Sequence, residues 1–131
     1  MTRAKILLIE DNPNNRYLVS FLLEGRGYEV VLAHDGPAGI ALARSIRPAL
    51  ILLDIQLPEM DGYEVARRLQ ADPASATIPI VAVTSFAMLG DRERALAAGC
   101  DGYIEKPIDP ETFAAEVEVH LPDALRCGNA A

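Results

Sequence analysis

Residues 5–33 read KILLIEDNPNNRYLVSFLLEGRGYEVVLA, and this stretch decides the fold. It opens on consecutive apolar residues, Ile6 to Ile9, and closes on a second run, Val30 to Ala33. Apolar residues at consecutive rather than alternating positions are the pattern of a strand buried on both faces of a parallel sheet. The segment between the runs carries helix punctuation. Asn12 can cap it and Pro13 suits its first turn. Leu18 and Leu22 share a face with Phe21 beside them, and Gly25 and Gly27 end it. Parallel strands need long crossovers, usually helical, so the stretch reads strand, helix, strand.

The same unit recurs outward from there. Further apolar runs stand at ALILL (49–53), IPIVAV (78–83) and GYIE (102–105). The intervening segments supply crossovers. The second, DGPAGIALARSIRP, starts at an Asp-Gly turn and stops before Pro48. The third pairs Asp61 with Glu64 in a variant of the capping box, with Val65 and Leu69 as its apolar stripe. The fourth, about residues 88–99, is closed by Gly99. In the fifth, Asp109 caps, Pro110 sits in the first turn, and Phe113, Val117 and Leu121 recur every fourth residue. Five such units predict a doubly wound α/β fold, a five-stranded parallel sheet of order 2-1-3-4-5 with five helices. One domain is expected over residues 1–121, with a flexible tail over 122–131.

Composition narrows the function. A net charge of -7 argues against a nucleic-acid surface, which needs clustered Lys and Arg. Cys100 and Cys127 have no metal-like spacing and suggest no disulfide framework. No apolar run approaches the roughly 20 residues that span a bilayer. The N-terminus meets acids too early for a signal peptide. A cytoplasmic protein without membrane insertion is expected.

In this fold class, sites lie outside the carboxyl ends of the strands, at the switch point between the first and third. The residues ending each strand therefore matter most. The first run ends in Glu10-Asp11, the third in Asp54, the fourth in Thr84-Ser85 and the fifth in Lys106-Pro107. Two carboxylates about 4 Å apart repel by roughly 4 kcal/mol at an effective dielectric of about 20. One lysine cannot balance three acids, so either a carboxylate protonates or a cation binds. An all-oxygen donor set favours a hard cation, best Mg²⁺ with Mn²⁺ as a substitute. A cation facing an ammonium and a hydroxyl suits a phosphoryl group, and Asp54 is the candidate nucleophile.

The segments ILLIEDN, LILLDIQLPEMDGYE, IPIVAVTSFAM and AGCDGYIEKPI, in this order, resemble the receiver domain of two-component response regulators, of the CheY-like type. The resemblance covers about residues 4–121. It implies Mg²⁺-dependent transfer of a phosphoryl group from a phosphohistidine onto Asp54. It also implies that Asp11 binds the metal directly, Glu10 through water and Gln56 through its backbone carbonyl. Thr84 and Lys106 would contact the phosphoryl group, and Lys106-Pro107 would be a cis peptide. Thr84 and Tyr103 would form the switch to a face made of the fourth helix, fifth strand and fifth helix. Gln56 and Phe86 would tune the lifetime of the phosphorylated state. Glu10 replaces the aspartate many receivers carry. The EDN form followed by TSFAM looks closer to stand-alone regulators of the cell-cycle type and to receivers of hybrid kinases. The implied partners are a histidine kinase or histidine phosphotransferase and a further protein target.

Competing readings stay open at this level. Met1 and the short tail favour a stand-alone signalling protein over a receiver cut from a hybrid kinase. A Mg²⁺-dependent phosphohydrolase with an aspartyl nucleophile would want an acid where Gln56 stands. A flavodoxin-type electron carrier would want hydroxyls and glycine where EDNPNN stands. Beside its switch role, Tyr103 has a lesser reading as static packing or a surface residue. His34 and His120 read as surface residues, Cys100 as a small apolar residue, Cys127 as a tail thiol, and Arg92-Glu93-Arg94 as a solvated helix face.

Overall fold

The computed structural model describes residues 4–57, 60–84, 90–122 and 125. Strands β1 (Lys5–Ile9), β2 (Glu29–Ala33), β3 (Leu50–Asp54), β4 (Ile80–Thr84) and β5 (Gly102–Glu105) alternate with helices α1 (Pro13–Glu24), α2 (Gly36–Ile46), α3 (Gly62–Ala71), α4 (Asp91–Ala97) and α5 (Phe113–Glu118). All pairings are parallel and the order is β2-β1-β3-β4-β5, as the sequence predicts. Ser85, Phe86, Met88 and Cys127, and nearly all of the expected tail, lie outside the described residues.

The pleat sorts each strand's side chains into two cores. Ile6, Leu8, Leu50, Leu52, Val81 and Val83 pack with Val19 and Leu23 of α1 and Phe113 and Val117 of α5. Leu7, Ile9, Ile51, Leu53, Ile80 and Ala82 pack on the opposite face with Ala43 of α2, Val65 and Leu69 of α3 and Ala95 of α4. The central strand β3 is buried throughout, which explains its unbroken apolar run.

The structure revises several local expectations. In α1 the fully buried residues are Val19 and Leu23, while the predicted Leu18 and Leu22 are half-buried, Leu22 packing against the same core. Phe21 faces outward and stacks on Tyr17. Asp61 caps α3 by accepting from the Tyr63 amide, while Glu64 bonds to Arg67 and Arg68 rather than serving as the partner in a capping box. Asp109 and Pro110 form a turn before α5, whose helical geometry begins only at Phe113. His120 lies over Gly102 instead of standing free. Arg94 sits 4.4 Å above the Tyr63 ring, so one member of the supposedly solvated run ties α4 to α3. A buried polar cluster closes the sheet's other end, where Glu118 accepts from the Tyr28 hydroxyl at 2.6 Å and pairs with Arg26.

Gly62 fixes how α3 meets the end of β3. Its amide donates to the Ile55 carbonyl at 3.0 Å. A Cβ there would lie 2.5 Å from Ile55 Cα and 2.8 Å from the Asp54 oxygen. Both obstacles are backbone, which has little room to yield. Gly62→Ala is expected to lower unfolding free energy by about 2 kcal/mol, read from the urea midpoint at unchanged slope. A midpoint equal to wild type would show that the contact relaxes freely.

Candidate functional site

The strand ends converge as the topology requires. Glu10 follows β1, Asp54 ends β3, Thr84 ends β4 and Lys106 follows β5. Backbone bonds hold these ends in line: Glu10 N–H donates to Ala33, Ile55 N–H to Val83, and Lys106 N–H to Thr84 at 2.7 Å. The Lys106–Pro107 peptide is cis. Glu10, Asp11, Asn12, Pro13, Asn15, Asp54, Gln56 and Lys106 line one cleft of about 490 Å³.

Glu10 and Asp54 are buried and Asp11 is exposed. One oxygen from each of the three carboxylates falls within 4.8 Å of the others. Lys106 Nζ donates to Glu10 Oε1 at 3.0 Å and stands 3.6 Å from Asp54 Oδ1. The Gln56 amide donates to Asp54 Oδ1 at 3.0 Å. Thr84 is buried, and half-buried Tyr103 packs against the core on the α2–α3–α4 side. The structure thus gathers Glu10, Asp11, Asp54, Gln56 and Lys106 around one cleft, with Thr84 joined to it through the Lys106 amide. Phe86 lies outside the described residues.

The electrostatics follow from this geometry. Burial, reinforced by the hydrogen bond and charge of Glu10, pushes the Asp54 carboxyl up to about 7 from an ordinary 3.8, against the opposing pull of the Gln56 amide and Lys106. Burial also works against ionisation of Glu10, but bonds from Asp54 and Lys106, the Lys106 charge and the Asn12 amide outweigh it and hold Glu10 below its usual value. Burial and the neighbouring Glu10 thus favour the protonated form of Asp54, while Lys106 favours ionised Glu10. Carboxylate oxygens alone, with no nitrogen or sulfur donor in the cluster, fit a hard cation such as Mg²⁺.

Sequence reasoning missed Arg16. Its Nη1 donates to the carbonyls of Glu10 at 3.2 Å and Asp11 at 3.0 Å. A signal was present: an arginine early in α1, whose first turn carries no acid, opposes the usual preference of a helix N-terminus for negative charge.

A raised carboxyl pKa has a definite thermodynamic sign. Asp54 binds its proton more tightly folded than unfolded. It therefore adds stability that is fully present below its unfolded pKa and is lost as pH rises through about 7. In metal-free buffer, Asp54→Asn is expected to be more stable than wild type at pH 8, with the gap narrowing toward pH 5. Urea unfolding across that range checks this, and a gap independent of pH would contradict it.

Three comparisons bear on this cleft. The family model for the response regulator receiver domain matches residues 6–118. The polar-differentiation response regulator DivK of Brucella anthropi is 44% identical over 119 residues, spanning 91% of this chain and 97% of that protein. DivK of Brucella ovis is 44% identical over 124 residues, 95% of this chain and all of its own length. Among solved structures, the Vibrio cholerae chemotaxis protein CheY4 superimposes with a TM-score of 0.86 at 30% identity, covering 92% of this chain and 100% of that one. The receiver domain of the Pseudomonas aeruginosa sensor histidine kinase PA1611 gives 0.83 at 35% identity, covering 91% and 98%. That protein's structure holds a magnesium ion coordinated in its active site cleft.

Proposed function

Because this chain belongs to the response regulator receiver domain family, we propose that it accepts a phosphoryl group on Asp54 and signals through the change this produces. The carrying observation is the placement of Asp54, buried at the end of the central strand and lining the cleft beside Lys106. A deprotonated Asp54 oxygen attacks the phosphorus of a phosphohistidine. The P–O bond forms, the P–N bond breaks, and the departing imidazole keeps the electron pair and takes a proton from solvent. Lys106, now on Glu10, turns to the incoming phosphoryl oxygens, and Thr84 supplies a hydroxyl to them. Asp11, Asp54 and the Gln56 carbonyl, with Glu10 through water, would hold Mg²⁺ or Mn²⁺, which would supply positive charge to offset the phosphoryl oxygens.

Receiver domains work with histidine kinases, so the donor is a histidine kinase or a histidine phosphotransferase. The exposed Tyr17–Phe21 pair, on the helix whose first turn borders the cleft, offers this donor a docking surface. Thr84 and Tyr103 carry the change to the α4–β5–α5 face, where a protein target reads it as a population shift. Gln56 and Phe86 set how long the acyl phosphate lasts. Among the described residues, no helix is long and apolar enough to cross a membrane. We place the protein in the cytoplasm, as a signalling protein without substrate turnover of its own.

Identity to the DivK regulators exceeds that to the sensor-kinase receiver, 44% against 35%, which favours a DivK-like regulator over a hybrid-kinase fragment. A role in polar differentiation, the process named for DivK, is the first to test. A phosphohydrolase is disfavoured because the Gln56 side chain, two residues beyond Asp54, transfers no proton.

Incubation with Mg²⁺ and either acetyl phosphate or a phosphorylated histidine donor is expected to add one phosphoryl group, labile to hydroxylamine and lost in Asp54→Asn. Tyr17→Ala with Phe21→Ala is expected to slow only the protein donor. A label persisting in Asp54→Asn would contradict the assignment. Equal slowing with both donors would contradict the docking surface.

A further inference from the structure

Successive side chains of an extended strand leave on opposite faces. Yet Glu10 and Asp11, adjacent in the chain, bring carboxylate oxygens within 4.8 Å of each other and of Asp54. Strand β1 ends at Ile9, so both acids lie on backbone outside the strand, where the sheet alone does not hold their peptide planes against the repulsion of the acids. Arg16 is placed to do so. Its Nη1 spans both carbonyl oxygens, Glu10 O at 3.2 Å and Asp11 O at 3.0 Å. Its own amide donates to the Asn12 carbonyl, and the Asn12 side chain caps the Asn14 and Asn15 amides. Fixing two consecutive carbonyls fixes the two peptide planes, and with them the directions in which both acid side chains depart.

We propose that Arg16 is a positioning residue that holds the Glu10–Asp11 backbone so that both carboxylates converge on the cation. This rests on the reading above that Glu10, Asp11 and Asp54 serve a Mg²⁺ site. Arg16 touches neither the cation nor the phosphoryl group. Its action is through carbonyl oxygens, not through its charge alone.

The two roles predict opposite signs. As a mere nearby cation, Arg16 repels Mg²⁺, so its removal would tighten binding. As a clamp, its removal lets the acids diverge and weakens binding.

Calorimetric titration of Mg²⁺ into the full chain separates them, with circular dichroism confirming the fold of each variant. Arg16→Gln is expected to bind about tenfold more weakly. Arg16→Lys, whose shorter stem brings its ammonium to one carbonyl, is expected to lose about threefold. Arg67→Gln, an exposed charge removal on α3, is expected to match wild type. Wild-type or tighter affinity in Arg16→Gln overturns the proposal. Should that variant not fold, wild-type affinity in Arg16→Lys overturns it instead. Absence of Mg²⁺ binding by wild type overturns the metal reading itself and this inference with it.

Discussion

A single ammonium, Lys106, faces three carboxylates. Its Nζ bonds Glu10 at 3.0 Å and reaches Asp54 only to 3.6 Å, while Asp11 stands at the open side. Attraction to one lysine cannot offset three mutually repelling acids, two of them buried. Two responses are available: a proton retained on Asp54, which its elevated pKa expresses, or a divalent cation. The same imbalance prepares the site for both of its proposed tasks. A cation entering the cluster frees Asp54 to be a nucleophile, and a phosphoryl group arriving afterwards finds Lys106 within reach.

The rest of the fold supplies the rigidity this arrangement needs. Repelling groups stay together only where the backbone leaves them no alternative. Strands β1 and β3 are adjacent and buried on both faces, so Glu10 and Asp54 cannot drift apart without exposing Ile9 or Leu53. Burying such a side chain is worth about 1.5–3 kcal/mol. Gly62 lets α3 close directly on the end of β3, and Tyr63 beside it meets Arg94 of α4. Close backbone approach thus links the end of β3 to α3, and the Tyr63–Arg94 contact links α3 to α4.

Much of this was legible in the sequence for one physical reason. Burial of a strand on both faces leaves consecutive apolar residues, and the polar residue that breaks each run marks the end where a parallel α/β sheet carries its site. Glu10, Asp54 and Thr84 each stand at such a break, and Lys106 directly follows the one at Glu105. What stayed hidden depends on partners distant in the chain or on groups every residue has. Leu18 with Leu22 and Val19 with Leu23 have identical four-residue spacing, and only the approach of the sheet and α5 selects the latter. Arg16 binds carbonyl oxygens, which carry no side-chain signature, so only its unusual place near the start of α1 hints at its role. The Glu118–Tyr28 bond joins residues 90 positions apart, and Lys106–Glu10 joins residues 96 apart, so neither pairing has a local pattern.

Three converging acids with one ammonium leave the cluster electrostatically strained until a cation joins it. Thermal unfolding of wild type and Asp11→Asn, each over a range of Mg²⁺ concentrations, tests this most directly. A ligand that binds the folded state at a hundred times its Kd stabilises it by about 2.7 kcal/mol. The account predicts that metal-free Asp11→Asn melts above metal-free wild type, because one repelling charge is gone, and that Mg²⁺ raises the wild-type Tm far more than the variant's. A metal-free variant that melts below wild type, with an equal gain from Mg²⁺, would contradict it.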